Sequence, residues 1–381
     1  MITPIYFDTD SYFSQKKLAE MADTGEISEG LSFYGPKQCV VQNSCSQINY
    51  HRQDWKLLSI PHIKIEDAIN GNYDTDTYLE IATPMWFLLE DRSWVKGKNI
   101  IITNMHEAWL KGMPYTMDLP EHEIDISVAE DCKLANHCII VSDNASKIDG
   151  VDCVPSHAFY MDTRDSYKTY APWCDDLRSF SEDNISKLGT KPKQYIALLG
   201  REKPHRTDFY KKISASEVDG YVGGFEDYGR IEFDDPQYYK DFYLKDRYLA
   251  KEWFTNTEVW VSHETQYIWK GMNPDAMSSP LTEKVWKPIA FGMPFLLNSS
   301  QDCLDRVNEM GFNNFTEVFG NYHTDDFTTT NDNIIDILKN YKSFDIEQIK
   351  SICLYNYNHF ENMTSDKYIE MFWKELGISY T

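Results

Sequence analysis

Short apolar runs separated by helix-length segments mark most of the chain. Ile2 to Phe7, Asn99 to Thr103 and His137 to Ser142 read as strands, the last two rich in isoleucine and valine and bounded by polar turns, and Val151 to Val154 is a further candidate. The pattern restarts with strands at Tyr195 to Leu199, Glu258 to Ser262 and Phe295 to Leu297. Helical spacing predicts elements at Asp332 to Tyr341, Ile346 to Phe360 and Ser365 to Leu376, the last with Tyr368, Met371, Phe372 and Leu376 on one face. Apolar runs without strict alternation, separated by helix-length segments, predict an α/β protein whose parallel sheets are covered on both faces.

Residues 278 to 300, SSPLTEKVWKPIAFGMPFLLNSS, carry the clearest punctuation. Ser279 suits an N-cap and Pro280 the first helical position, while Gly292 and Pro294 end the pattern before the next strand. Leu281, Val285 and Ile289 share one face, and Pro288 is expected to kink the helix. Thr282, Glu283, Lys284 and Lys287 are left near its exposed start. The start of a helix carries positive partial charge, so lysines there oppose the dipole unless an anion sits beside them. Two readings follow: a bound anion, or an i,i+4 pair of Glu283 with Lys287 on a solvated face.

The 381 residues suffice for two domains of ordinary size, and 42% apolar with 14% aromatic content describes a globular chain. A net charge of −23 opposes polyanions as partners, so nucleic acid or an anionic membrane would need a local basic cleft. The first residues lack a signal-peptide pattern, and no run approaches roughly 18 apolar residues, so a soluble, cytoplasmic protein is expected. Eight cysteines at 39, 45, 132, 138, 153, 174, 303 and 353 show neither CxxC nor zinc spacing and are expected to be reduced, buried thiols. The polar stretch between Ala171 and Lys193 reads as the linker between domains.

In a doubly wound half, ligands sit beyond the carboxyl ends of the strands. Three groups follow strands in the second half: Gly200 and Arg201 with His205 and Arg206; Ser262, His263 and Glu264; and Thr282, Glu283 and Lys284, with Lys287 one turn on. Cations with backbone N–H groups suit a diphosphate, and a carboxylate suits a ribose diol.

LTEKVWKPIAFGMPFLLNSS resembles the donor-binding segment of α1,3-fucosyltransferases and of related glycosyltransferase-like proteins often encoded by phages and other viruses, in which a Thr-Glu-Lys opens a helix beneath the nucleotide sugar. YIALLGREKPHRTDFYKKI is similar to their strand, arginine and helix unit, and GMPFLLNSSQDCLDRVNEMGFNNF to the viral relatives. The resemblance covers about residues 193 to 345. It implies a GT-B fold of two Rossmann-like doubly wound domains facing a cleft: residues 1–180 for the acceptor, 190–345 for the donor, and 346–381 as helices packing back on the first domain. It implies Glu283 on the ribose, Lys284 on the diphosphate, and Arg201 or Arg206 on the leaving phosphate. No metal or other cofactor is then required, because the cations and the helix start neutralise the charge. The stretch VSHETQYIWKGMNPDAMSSP departs from the asparagine-rich segment of the fucosyltransferases, which leaves sugar and base open.

An inverting transfer needs a base on the acceptor side. Glu107, with His106 second, follows the strand Asn99 to Thr103, and His157 and Asp162 are looser candidates; a first-turn glutamate that merely supports a helix is the plain alternative. The expected partners are a nucleotide-sugar donor and a glycan or small hydroxyl acceptor. A phage-type enzyme acting on hydroxymethylated DNA bases, in the host cytoplasm if viral, is the alternative within the class. In another class stand an inactive sugar-binding relative and a Mg²⁺ phosphatase of the haloacid dehalogenase type. The phosphatase is suggested by Asp8-Thr9-Asp10 after the first strand, which also resembles the metal-binding DxD of other glycosyltransferases. Ser11-Tyr12 departs from the phosphatase pattern, and a second such tripeptide occurs at Asp74 to Asp76.

Overall fold

The computed structural model describes residues 2–6, 63–72, 78–82, 91–103, 109–110, 123–124, 132–142, 152–155, 160, 163–164, 167–168, 171–199, 203–223, 249–264, 267, 281–299, 301–364 and 367. The chain divides into two compact units, Met1–Ala158 with Asn273–Ser278 and Asp366–Thr381, and Phe159–Met272 with Ser279–Ser365. Each unit holds its own sheet of parallel strands, which makes the protein mixed α/β.

The first unit contains β1 (Ile2–Tyr6), β2 (Ile63–Lys64), α1 (Ile65–Asn70), β3 (Tyr78–Ala82), β4 (Asn99–Thr103), β5 (Trp109–Leu110), β6 (Glu123–Ile124), β7 (His137–Ser142) and β8 (Asp152–Pro155). Six strands form a parallel sheet in the order β2-β1-β3-β4-β7-β8, and β5 pairs with β6. In the middle of the sheet Ile101 of β4 stands opposite Glu80 and Ile139, and Leu79, Ile100, Ile101 and Ile139 are buried. These are the unbroken β-branched runs of a sheet covered on both faces.

The second unit contains α2 (Leu177–Ser186), β9 (Lys193–Leu198), α3 (Pro204–Ser214), β10 (Gly220–Gly223), α4 (Lys251–Thr255), β11 (Thr257–His263), α5 (Glu283–Ala290), β12 (Phe295–Asn298), α6 (Gln301–Glu309), α7 (Thr316–Phe319), α8 (Phe327–Lys339) and α9 (Ile346–Asn362). Its parallel sheet runs β10-β9-β11-β12, with every residue of β11 and β12 buried. Strand order reverses between β9 and β11, the point where α/β sheets open a crevice at their carboxyl ends.

Residues 171–193 are no linker. They hold α2, whose buried Ser181 and Asn184 donate to the carbonyls of Ala290 and Phe291 at 2.9 and 2.8 Å and so satisfy the end of α5. Upstream, Tyr160 meets Trp286 and Phe360 edge to face and donates to the Met363 carbonyl at 2.6 Å, so the second unit begins at Phe159. Helix α9 packs on α5 and α2 inside the same unit. Helix α8 starts five residues before its expected Asp332, because the Asp326 carboxylate accepts from the amides of Thr328 and Thr329. The expected helix from Ser365 to Leu376 falls outside the described residues, apart from helical Lys367. Cys132, Cys138, Cys174, Cys303 and Cys353 are buried. Among the described residues no helix is long and apolar enough to cross a membrane.

Candidate functional site

Helix α5 starts three residues later than the Pro280 start expected from sequence. Thr282 is its N-cap, and Glu283 the first helical residue. The capping hydroxyl accepts from the Lys284 amide at 3.4 Å and donates to the Glu264 carboxylate at 2.6 Å, while the Thr282 amide donates to the other Glu264 oxygen at 3.0 Å. Glu264 lies just past the end of β11 and is fully buried. This tertiary anchor, 18 residues upstream, fixes where the helix begins. The anion suited to the helix start is therefore supplied from within the chain.

Pro288 lies inside α5 and has no amide to offer the Lys284 carbonyl one turn earlier. Ser262, near the end of β11 and 1% exposed, donates its hydroxyl to that carbonyl at 2.7 Å. Ser262, expected among the donor-binding residues, thus supports the backbone of α5 from beneath.

The first turn of α3 reaches the same strand end. Arg206 donates through Nη2 to the carbonyls of His263 and Glu264 at 3.0 and 2.8 Å, and the His205 Nε2–H points to the Glu264 carbonyl at 3.1 Å. Both side chains are buried. Burial, with Arg206 beside it, holds the His205 imidazole down to about 3, so it is neutral and its Nε2 is free to donate. The expectation that Arg206 meets a phosphate gives way to a bracing role: a guanidinium aimed at two carbonyls holds β11 against α3.

Three side chains at the start of α5 retain exposure. The Lys284 ammonium bonds the Thr282 hydroxyl at 2.8 Å and lies 3.4 Å from the Glu283 carboxylate, which Lys287 approaches at 3.9 Å. Their side chains are 25%, 26% and 12% exposed for Lys284, Glu283 and Lys287 respectively. The i,i+4 pair expected from the sequence is present, but on a partly covered surface rather than a solvated face. Burial pushes the Glu283 carboxyl up, yet the two ammonium groups outweigh it and hold it down at about 2. Glu264 shifts the other way, because burial dominates over Lys284 and Thr282.

Beside these groups runs a buried polar chain that no periodicity marks. The Asn298 amide donates to His263 Nδ1 at 3.0 Å and to Asn331 Oδ1 at 2.6 Å, and Asn331 donates to the Asp208 carboxylate at 2.9 Å. The first bond places the His263 proton on Nε2, and burial keeps the ring neutral. Of its members the sequence pattern singled out His263 alone, by its place at the end of a strand.

Arg201, Glu107 and His106 lie outside the described residues, as do His157, Asp162, Asp8 to Asp10 and Asp74 to Asp76. The structure brings together His205, Arg206, Ser262, Glu264, Thr282, Glu283, Lys284 and Lys287 at one end of β11. Among the described residues no three of His, Cys, Asp and Glu are placed to hold a metal ion. No protein-family model matches the chain, and no curated protein matches its sequence.

Proposed function

We propose that the protein is a glycosyltransferase of GT-B type that moves a sugar from a nucleotide-diphosphate donor to a hydroxyl acceptor. One observation carries the reading: Glu283, Lys284 and Lys287, the partly exposed members of the cluster, open a helix beside the point where strand order reverses in the second sheet. That edge is where open α/β sheets bind nucleotides. In this reading Lys284 and Lys287 meet the diphosphate, and Glu283 accepts from the ribose hydroxyls. The ammonium groups offset the charge that grows on the leaving diphosphate. Arg206 and Glu264 keep the two helix starts in place, and Glu107 or His106 of the first unit takes the acceptor proton.

A thermal-shift panel of GDP, UDP, ADP, CDP, dTDP and pyrophosphate tests it. At least one nucleoside diphosphate is expected to raise the melting temperature, and Lys284→Ala to weaken that ligand tenfold or more, about 1.4 kcal/mol. The same ligand bound equally well by Lys284→Ala, or no shift with any of the six, overturns the reading.

A further inference from the structure

At the far end of the second sheet lies a cavity unrelated to the cluster above. Glu258 on its wall is five residues before His263 on β11, about 17 Å away along the strand. The cavity holds about 180 Å³, roughly the room of six water molecules. Tyr341 lines it, is 1% exposed, and its hydroxyl has no hydrogen-bond partner in the protein. Buried hydroxyls are almost always satisfied, so this one points to a partner that the chain does not supply.

The wall defines what that partner is. Each Glu258 oxygen accepts one backbone amide, from Gly189 at 2.8 Å and Lys191 at 2.7 Å, and a carboxylate oxygen has room for a second donor. Gly189 permits this because its φ is +90° and a Cβ there would lie 2.9 Å from Ile346. The carboxylate charge is already countered by Lys191, whose ammonium is bound to Asn184 Oδ1 and the Phe254 carbonyl, and by Lys342 on the cavity lining. A cation would meet these two lysines, and an anion would meet Glu258. Hydroxyl groups suit both the carboxylate and the tyrosine without adding charge, and Pro192 and Ile346 offer apolar contact to C–H groups. We propose that this cavity binds a small neutral polyol, of glycerol to monosaccharide size, whose hydroxyls bridge Glu258 and Tyr341.

Saturation-transfer NMR on the full chain tests this with glycerol, erythritol and glucose, and with glycine and inorganic phosphate as charged controls. The wild type is expected to transfer magnetisation to at least one polyol and to neither control. Tyr341→Phe keeps the ring and removes only the unpaired hydroxyl, and is expected to reduce the transfer at least fivefold. Lys284→Ala is expected to leave it unchanged, which separates this site from the nucleotide reading. No transfer to any polyol, a preference for either control, or equal transfer in Tyr341→Phe overturns the proposal.

Discussion

Ser262 and Pro288 make a testable pair. Ser262 donates to the Lys284 carbonyl at 2.7 Å, in the place where residue 288 of an uninterrupted helix would donate its amide. Ser262→Ala deletes that donor at a site 1% exposed, which is expected to cost about 1–3 kcal/mol. In the Pro288→Ala background the restored amide can serve the same carbonyl, so Ser262→Ala is expected to cost about 1 kcal/mol less there. Pro288→Ala alone also changes ring packing and chain stiffness, but those effects cancel in the double-mutant cycle. Calorimetry is the suitable assay, because the two units can melt separately. For a unit of this size the single variant is expected to lower the relevant transition by about 2–12 °C. If Ser262→Ala costs the same in both backgrounds to within about 0.5 kcal/mol, the hydroxyl does not stand in for the amide and the coupling is wrong.

Lys191 gives a pH test. Burial holds its ammonium pKa down to about 8 against 10.5 in the unfolded chain, so between these values the unfolded chain carries the proton and the folded one does not. Lys191 is therefore expected to contribute up to about 3 kcal/mol of added stability to the second unit as pH rises across that window, opposite in sign to the buried Cys174 and Cys353 thiols, whose pKa values burial raises, and Lys191→Met to make the slope of stability against pH more negative by that amount; equal slopes in urea titrations of the two proteins would refute the assignment. Gly292, at φ +68°, leaves α5, and a Cβ there would lie 2.8 Å from the Ser181 carbonyl oxygen. Gly292→Ala is expected to destabilise the unit by about 2–4 kcal/mol, combining left-handed strain with that overlap, and a loss below about 0.5 kcal/mol in the same urea assay would show that α2 yields.

The strands were legible because buried parallel strands are written as unbroken apolar runs. Asn99–Thr103 and His137–Ser142 match to the residue, and β9, β11 and β12 agree within two residues. What escaped were polar residues whose roles depend on distant partners. Residues of α2 read as a linker because Ser181 and Asn184 interrupt its apolar face, yet they are buried there to satisfy the end of another helix. Local punctuation placed the start of α5 at Ser279 and Pro280, whereas the Thr-Glu-Lys of the family resemblance placed it at Thr282, the residue that Glu264 holds as the N-cap. Arg206 resembled a phosphate ligand by its place after a strand, while its burial against two carbonyls is set by β11. Spacing brought the right residues to one strand end but did not say which of them face outward.

The lysines that oppose the dipole of α5 now have partners, and those partners constrain the ligand. Glu264, buried beneath the helix start, is bound to the amide and hydroxyl of Thr282. A diphosphate that draws in Lys284 and Lys287 takes them from Glu283, whose carboxyl is held at about 2 by those same ammonium groups. Losing them leaves a partly covered carboxylate without its counter-charges, a cost that offsets much of the gain from the phosphates. A ligand that also offers hydroxyl donors to Glu283 restores its hydrogen bonds, and a nucleoside diphosphate has a ribose diol suited to that task. The thermal-shift panel is therefore expected to rank at least one nucleoside diphosphate above pyrophosphate, although pyrophosphate at neutral pH carries comparable or greater charge. If pyrophosphate shifts the melting temperature as much as every nucleotide does, Glu283 contributes nothing to recognition, and the start of α5 is a general anion site rather than a nucleotide site.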